Sequence, residues 1–597
     1  MATQCCSFLC HRSLLGLNHQ GKYTRQMLRT FCSGFKNNLS SKDNLQRGPG
    51  LEHFLRLTSE HEETIALSGN ELKVDKIPYL SQDDLYGMQR NVFFDVSGCQ
   101  MNINDVEIAW SILKKHGFQR TTNVKDSDVI LIMTCSVREN AEDKIWNKLQ
   151  YYKHLKLARQ LLPRTAVKTP VKIGVLGCMA ERLKQTIIEK QKAVDLVCGP
   201  DAYRDLPRML APTHSNQTAV NVLLSLDETY CDVIPVRLNE HSPSAFVSVM
   251  RGCDNMCSYC IVPFTRGRER SRPIKTVLEE IRILSDQGIK EVILLGQNVN
   301  SYRDTSELQS QGCDITKTSQ GFSTVYKPKV GGRRFAELLD KVSMVDPEMR
   351  IRFTSPHPKD FPDEVLHLIK DRVNICSQIH LPAQSGNNEV LQRMQRGYTR
   401  EAYIDLVNHI RDTLPDIALT SDFIAGFCGE TEEAHKESLS LIERVKYSFA
   451  FCFPYSMREK TRAFHRLNDD IPQDVKDRRH KELVATFRRQ SLELNMDQIG
   501  NKQLVLVEGI SKRSEIYLST RNEANVKVII PQQLIPDVNE PGSRRPISIG
   551  DYVAVQINDA TSQTLIATPL YHTTLQDFAK HHSEDRWLNS FHVDIIS

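Results

Sequence analysis

The stretch AFVSVMRGCDNMCSYC, residues 245–260, decides how the middle of this chain is organised. Its first half is apolar and typical of a strand, and its second half holds Cys253, Cys257 and Cys260 in the spacing C-x3-C-x2-C. A structural zinc site favours paired C-x2-C motifs, and no partner pair follows. A disulfide framework does not suit the reducing compartment that dispersed cysteines indicate. Three thiolates on a four-iron cluster would leave one iron open for a substrate or cofactor.

Three strand-like runs upstream also end in cysteine. NVFFDVSGCQMN ends at Cys99, SDVILIMTCSVREN at Cys135 and VKIGVLGCMAER at Cys178, with helix-like stretches between them. This βαβαβ order predicts a parallel sheet whose strand ends share one edge, where the thiols would hold zinc or an iron–sulfur cluster. The alternative is that each is a small buried side chain. We interpret the other strand-associated cysteines in that second way: Cys198, Cys231, Cys376, Cys428 and Cys452.

Both triplets resemble a known family. The central spacing, with Tyr259 before the third cysteine, resembles the radical S-adenosylmethionine signature. Residues 252–273 resemble the methylthiotransferases, as do SGCQMNIND, TCSVRENAE and LGCMAER upstream. The forms GCQMN and TCSVRENAE are similar to the branch that acts on isopentenyl-adenosine in tRNA. The resemblance implies S-adenosylmethionine and two 4Fe-4S clusters, one on each triplet.

The implied activity is the conversion of N6-isopentenyladenosine next to the anticodon into 2-methylthio-N6-isopentenyladenosine in mitochondrial tRNAs. In that family S-adenosylmethionine donates a methyl group to sulfur on the upstream cluster. It is also cleaved at the central cluster to a radical that removes hydrogen from C2 of the adenosine. Alternatives are the same chemistry on threonylcarbamoyl-adenosine or on a protein. A further alternative is a regulatory protein that binds a cyclin-dependent kinase activator, which the resemblance also suggests.

After Pro273, strand and helix patterns alternate, which predicts an incomplete (β/α) barrel with its chemistry at the strand C-terminal ends. A polar, weakly periodic insertion interrupts the pattern at about 306–334. By resemblance, the polar strand-end residues are candidates for the S-adenosylmethionine site: Gln297, Asn298, Ser355, Gln384, Ser385 and Asp422. Plain turn chemistry is the alternative for each of them.

The stretch TRGRERSRP places Arg266, Arg268, Arg270 and Arg272 at alternate positions. On a strand these side chains would share one face. They are candidates for binding RNA phosphate or the cofactor carboxylate, with a solvated charged face as the alternative.

The expected fold class is α/β with three domains. An N-terminal parallel-sheet domain is expected over 88–215 and a partial radical S-adenosylmethionine barrel over 240–495. Five short strand patterns predict a small all-β barrel over 498–573, which resembles the TRAM-like RNA-binding module of the family. The tail over 574–597 is expected to lie outside that barrel.

The N-terminus has the composition of a targeting sequence. Residues 1–42 hold six Lys and Arg and no Asp or Glu, which predicts a mitochondrial transit peptide in a disordered leader over 1–75. The alternative is a disordered basic tail. The expected location is the mitochondrial matrix, with room for a minor cytosolic pool. The net charge of +4 is small, so any basic surface that binds RNA must be a local patch. The sequence has no long apolar run, which predicts that no segment spans a membrane.

Overall fold

The structure is a computed structural model, and it describes residues 85–136, 139–161, 170–211, 218–306, 321–323, 331–538, 540 and 542–588. The part of the chain from Leu80 onward forms one compact unit. The predicted leader over 1–75 and most of the predicted insertion lie outside the described residues.

The N-terminal region is a parallel sheet between helices. Its elements are β1 (Asn91–Val96), α1 (Gln100–Lys115), β2 (Gln119–Arg120), β3 (Val129–Thr134), α2 (Glu139–Gln160), β4 (Lys172–Gly177), α3 (Cys178–Leu183), α4 (Thr186–Lys190), β5 (Leu196–Cys198), α5 (Leu206–Met209) and β6 (Ala219–Asn221). The strand order is β2-β1-β3-β4-β5-β6, and every pair is parallel, which confirms the predicted sheet.

The central strand β3 shows why this sheet is stable. It is buried along its whole length, because its side chains alternate between two hydrophobic cores. Leu131 and Met133 pack with α1, whereas Ile130 and Ile132 pack with α2. Because helices cover both faces of the sheet, the loops at the strand ends are the part of it that can bind a ligand.

The central region is an arc of parallel strands with helices outside. Its elements are β7 (Ser244–Ser248), β8 (Met250–Arg251), α6 (Val262–Thr265), β9 (Arg270–Ser271), α7 (Ile274–Asp286), β10 (Glu291–Leu295), β11 (Arg303–Asp304), β12 (Arg333–Arg334), α8 (Phe335–Ser343), β13 (Arg350–Phe353), α9 (Asp363–Asp371), β14 (Gln378–His380), α10 (Asn388–Met394), α11 (Arg400–Thr413), β15 (Ala418–Ala425), α12 (Glu432–Val445), β16 (Phe449–Pro454), α13 (Arg462–Arg466) and α14 (Gln473–Met496).

Six strands make up this arc. The sheets β7-β10-β13 and β14-β15-β16 are parallel throughout, and a bridge between Ile351 and Ile375 joins them. No pairing between β7 and β16 closes the arc among the described residues, so the barrel is incomplete, as predicted. The short β11 and β12 pair antiparallel and bracket the insertion.

The C-terminal region is a closed five-stranded barrel, also as predicted. Its elements are β17 (Lys502–Ile510), β18 (Tyr517–Arg521), β19 (Lys527–Pro531), β20 (Leu534–Pro536), β21 (Arg544–Pro546), β22 (Tyr552–Ala560), β23 (Thr564–His572) and α15 (Leu575–Leu588). The strand order around the barrel is β17-β18-β19-β23-β22. The expected tail over 574–597 includes α15, whose Leu575 packs against Leu504, Leu506 and Tyr552 of the barrel.

The C-terminal barrel docks where the central strands begin. Arg350, the first residue of β13, donates to the Leu504 carbonyl at 2.7 Å, and Arg352 donates to the Asn522 carbonyl at 2.7 Å. The Tyr552 hydroxyl donates to the Lys290 carbonyl, just before β10, at 2.8 Å. The opposite edge, where the strands end, is left for the site. Within the described residues, no helix is long and apolar enough to cross a bilayer.

Candidate functional site

The central cysteines lie on a loop that begins at a glycine. Gly252 has a φ of 78°, and a Cβ built on it would lie 2.0 Å from the Arg268 carbonyl oxygen, so no side chain fits there. Its N–H donates to Gln297 Oε1 at 2.6 Å, and the N–H of Cys253 donates to the Gly267 carbonyl at 3.2 Å. The loop is therefore bonded both to the chain after β10 and to the chain before β9.

The far side of the loop is anchored to α10. Ser258 donates from its N–H to the Met394 carbonyl at 2.9 Å and from its Oγ to the Arg393 carbonyl at 2.7 Å. The Tyr259 ring packs edge-on against Phe427, with centroids 6.4 Å apart. Contacts with the barrel thus fix both ends of the loop without help from a bound metal.

The three central thiols interact electrostatically with one another. Burial raises the pKa of Cys253, and the charges of Glu269, Cys260 and Cys257 raise it further. Burial, followed by the Cys257 charge, raises the pKa of Cys260 to about 12. Arg396 offsets this repulsion, because its Nη1 donates to Cys257 Sγ at 3.4 Å. A positively charged group bound there would relieve the remaining repulsion.

The upstream cysteines meet at the carboxyl edge of the N-terminal sheet. Cys99 follows β1, Cys135 follows β3, and Cys178 follows β4 as the first residue of α3; these three strands are adjacent. Gly98 has a φ of 117°, and a Cβ on it would lie 2.7 Å from the Cys135 Cβ. This close approach lets the first cysteine loop rest directly on the second.

One arginine of the central region reaches these thiols. The Nε of Arg266 donates to Cys178 Sγ at 3.1 Å, and its Nη2 pairs with Asp105 at 2.7 Å. A hydrogen bond with Cys135, helped by the Arg266 charge, lowers the pKa of Cys99 to about 6. The three upstream thiols and Arg266 therefore form one electrostatic group.

Among the described residues, no three His, Cys, Asp or Glu side chains stand close enough to hold one metal ion. Two buried groups beside the upstream triad, Arg266 Nη1 and Ser136 Oγ, have no partner in the described structure. Such donors fit the inorganic sulfides of a cluster.

The candidate cofactor residues divide into two groups. Gln297 and Asn298 lie beside the cysteine loop, because Gln297 accepts from Gly252 and the Asn298 Nδ2 donates to Glu269 at 3.1 Å. Asn298 is 1% exposed, and its Oδ1 has no partner in the described part of the chain. That oxygen can accept a hydrogen bond from an amino group of a ligand.

Of the other four candidates, Ser355 follows β13, Gln384 and Ser385 follow β14, and Asp422 lies within β15 and not at its end. Ser385 is bound to Ser438, with their hydroxyls 3.3 Å apart, so its hydroxyl serves the fold. Asp422 pairs with His380 at 3.3 Å. Ser355 and Gln384 have φ values of 60° and 70°. The Ser355 carbonyl accepts from the Val299 N–H at 3.4 Å, and Gln384 forms backbone hydrogen bonds with Asp422 and Ile424 of β15. Sequence reasoning missed His380, whose signal was a polar residue inside the short strand QIH.

Three of the four candidate RNA-binding arginines are buried and paired. Arg266 pairs with Asp105, Arg270 with Asp201 at 2.9 Å, and Arg272 with Glu280 at 2.6 Å. The predicted row of phosphate-binding arginines is therefore not on the surface, because acids from other elements neutralise it inside the protein. Arg268, whose side chain is 54% exposed, remains a candidate for binding RNA phosphate.

Comparison with known proteins identifies three regions. The Radical SAM superfamily matches residues 247–442, the Uncharacterized protein family UPF0004 matches 91–199, and the TRAM domain matches 497–570. These matches agree with the central arc, the N-terminal sheet and the C-terminal barrel. The central motif thereby implies a 4Fe-4S cluster and S-adenosylmethionine.

Curated relatives cover most of the chain. A mitochondrial tRNA methylthiotransferase of Mus musculus is 58% identical over 89% of this chain and 89% of its own length. The one of Homo sapiens is 57% identical over 91% of each chain. A tRNA-2-methylthio-N(6)-dimethylallyladenosine synthase of Chloroherpeton thalassium is 44% identical over 84% of this chain and 100% of its own length. With identity this high over this much of its length, the chain belongs to the family of radical S-adenosylmethionine tRNA methylthiotransferases.

Proposed function

We propose that this protein converts N6-isopentenyladenosine next to the anticodon into 2-methylthio-N6-isopentenyladenosine in mitochondrial tRNAs. The observation that carries the proposal is the presence of two thiol triads on facing loops of two domains, with Arg266 extending from one loop to a cysteine of the other. The names of the relatives, a mitochondrial tRNA methylthiotransferase and a methylthio-adenosine synthase, support it.

Each triad holds one 4Fe-4S cluster in this proposal. Cys253, Cys257 and Cys260 hold the cluster that binds S-adenosylmethionine, and the second cluster lies on the upstream triad: Cys99, Cys135 and Cys178. When bound, the groups supply a 5′-deoxyadenosyl radical and the sulfur that is methylated and transferred. The proposed reaction also requires an electron donor.

The chain's own residues hold and shield these groups. Gln297 fixes the start of the central loop through the Gly252 N–H, and Arg396 donates to Cys257. Asn298 offers its unpaired Oδ1 to the amino group of S-adenosylmethionine, and Asp422 with His380 lies on the inner face of the arc. Cys253 and Cys257 are buried, so water is kept from the reacting atoms.

The proposed domains are 88–215 for the second cluster, 240–495 for the radical chemistry and 498–573 for RNA binding. The leader over 1–75 directs import into the mitochondrial matrix. A full-length protein with a C-terminal tag should therefore be mitochondrial, and an exclusively cytosolic signal would contradict the import proposal.

The function is tested with anaerobically reconstituted protein, S-adenosylmethionine, a reductant and tRNA that carries isopentenyl-adenosine. Nucleoside mass spectrometry should detect the methylthio product with the unchanged protein. Cys99→Ala should still release 5′-deoxyadenosine but yield no methylthio product. Cys198→Ala is the matched control, since Cys198 also ends a strand of this sheet and is buried. It should give both products.

Two results would count against this proposal. Methylthiolation by Cys99→Ala would contradict the division of labour between the clusters, and absence of both products with intact clusters would contradict the activity. Binding to a cyclin-dependent kinase activator stays a prediction. Binding of that activator by a variant that lacks all six cluster cysteines would support it as a separate role.

A further inference from the structure

Arg266 lies between the two thiol triads. It follows α6, which begins two residues after Cys260, and its side chain crosses to the N-terminal domain. The next residue, Gly267, accepts the N–H of Cys253 at 3.2 Å. Arg266 thus belongs to the backbone that closes the central cysteine loop, while its guanidinium contacts the upstream ligand Cys178.

The position of the guanidinium is fixed by a buried carboxylate. Asp105 on α1 is fully buried, and it binds Arg266 through Oδ2 and Arg251 through Oδ1, each at 2.7 Å. The Nη2 of Arg266 also donates to Asn102 Oδ1 at 3.2 Å. Both acceptors hold the same nitrogen, Nη2, and they orient the planar guanidinium so that its Nε donates to the Cys178 sulfur.

We propose that Arg266 is a positioning residue that holds the second cluster against the central loop and raises that cluster's reduction potential. The inference rests on the proposed function, since it requires a cluster on the upstream triad. A cationic N–H donor to a ligand sulfur stabilises the more negative, reduced form of a cluster. The effect is strong at this site because Arg266 is only 3% exposed and water screens the charge poorly.

The chain supplies an internal comparison. Arg396, which is 5% exposed, donates from Nη1 to Cys257 Sγ at 3.4 Å in the central triad. Its Nη2 donates to the Pro382 carbonyl at 2.9 Å, and its Nε donates to the Tyr398 hydroxyl at 3.0 Å. Each triad thus has one buried arginine on one of its thiols, and each cluster should respond only to its own arginine.

A difference between the two arginines favours a larger role for Arg266. All three nitrogens of Arg396 have protein partners, whereas the Nη1 of Arg266 is buried and has no partner in the described structure. This nitrogen is available to a sulfide of the cluster. Arg266 can therefore donate to the cluster twice, once through Cys178 and once directly.

The test isolates the second cluster in the full chain. Replacing Cys253, Cys257 and Cys260 with alanine leaves only the upstream triad to bind iron. Redox titration followed by electron paramagnetic resonance then gives the midpoint potential of that cluster. Arg266→Gln should lower the midpoint and change the spectrum. The midpoint potential of Arg266→Lys should lie between those of the original protein and Arg266→Gln. Lysine keeps the positive charge but cannot donate to Cys178 and Asp105 at the same time. Arg396→Gln should leave the midpoint and the spectrum unchanged.

The outcomes separate the inference from the proposed function. If the triple-alanine variant binds no iron, the proposed cluster on the upstream triad is refuted, and the proposed role of Arg266 is refuted with it. If it binds four irons but Arg266→Gln keeps the original midpoint and spectrum, only the inference is overturned. If Arg266→Gln loads no cluster, the midpoint of Arg266→Lys decides, and an unchanged value overturns the inference.

Discussion

Gly252→Ala tests whether the central cysteine loop owes its position to its backbone. A Cβ on Gly252 would lie 2.0 Å from the Arg268 carbonyl oxygen and 2.6 Å from the Gly267 carbonyl oxygen. Contacts below 3.0 Å are essentially never seen for a real Cβ, and both obstacles are backbone atoms. The loop and the opposing chain must therefore separate by about 1 Å at the residue before the first cluster cysteine.

Two costs follow from this substitution. The φ of 78° costs a non-glycine residue about 1–2 kcal/mol. A displacement of about 1 Å at the reacting groups lowers the rate by roughly 100-fold. We therefore expect a small loss of stability and a large loss of 5′-deoxyadenosine formation.

Gly288→Ala separates the two costs. Gly288 has the same φ of 78°, but nothing lies within 4 Å of its built Cβ. Its alanine variant should lose a similar amount of thermal stability and keep the rate of 5′-deoxyadenosine release. Both variants are compared for iron content, melting temperature and single-turnover release of 5′-deoxyadenosine. A Gly252→Ala protein with full iron content and the unchanged rate would refute this account of the loop.

Three further predictions concern other parts of the molecule. Burial raises the pKa of Glu107 to about 7, so its ionisation destabilises the folded protein as the pH rises from about 4.5 through 7. Glu107→Gln should gain on the order of 2 kcal/mol over the original protein at pH 8 but not at pH 4.5 by urea unfolding, and a pH-independent difference would contradict this. Arg352→Ala strands the buried Glu291 carboxylate and should cost about 3–5 kcal/mol in the same assay; a loss below about 1 kcal/mol would show that the pair is dispensable. Arg268→Glu should weaken tRNA binding and reduce the slope of log affinity against log salt by about 1–2, whereas an unchanged slope would remove Arg268 from the RNA contact.

The meeting of the cysteines could be predicted because topology decides it. Adjacent parallel strands end at one edge, so Cys99, Cys135 and Cys178 had to lie near one another once the βαβαβ pattern was recognised. The incomplete barrel and the small closed barrel were predictable for a similar reason. Each is specified by strand patterns and turns that repeat locally along the chain.

The burial of Arg266 and Arg270 could not be predicted, because their partners, Asp105 and Asp201, are distant in sequence. Alternation in TRGRERSRP indicated a shared face, but β9 is only two residues long, at Arg270–Ser271. Arg266 is buried because Asp105, on a helix of another domain, neutralises it. A single sequence shows a row of positive charges and does not show which acids meet it. The same limit hid the contact of Arg396 with Cys257, two residues far apart in the chain.

The docking of the C-terminal barrel constrains how an RNA can be held. That barrel contacts the starts of the central strands, through Arg350 and Arg352, whereas the cysteine loop follows their ends. A five-residue strand such as β10 spans roughly 17 Å, so an RNA bound to the C-terminal barrel must pass along the side of the arc to place a base at the thiols. In the proposed function, contacts near the cysteine loop orient that base, and Arg268, whose side chain is 54% exposed, is the candidate for such a contact. Arg266, buried in the same segment, contacts Cys178 of the upstream triad, whereas Arg270 and Arg272 pair with Asp201 and Glu280. One short stretch of chain therefore carries both a buried contact to the cysteines and the exposed Arg268.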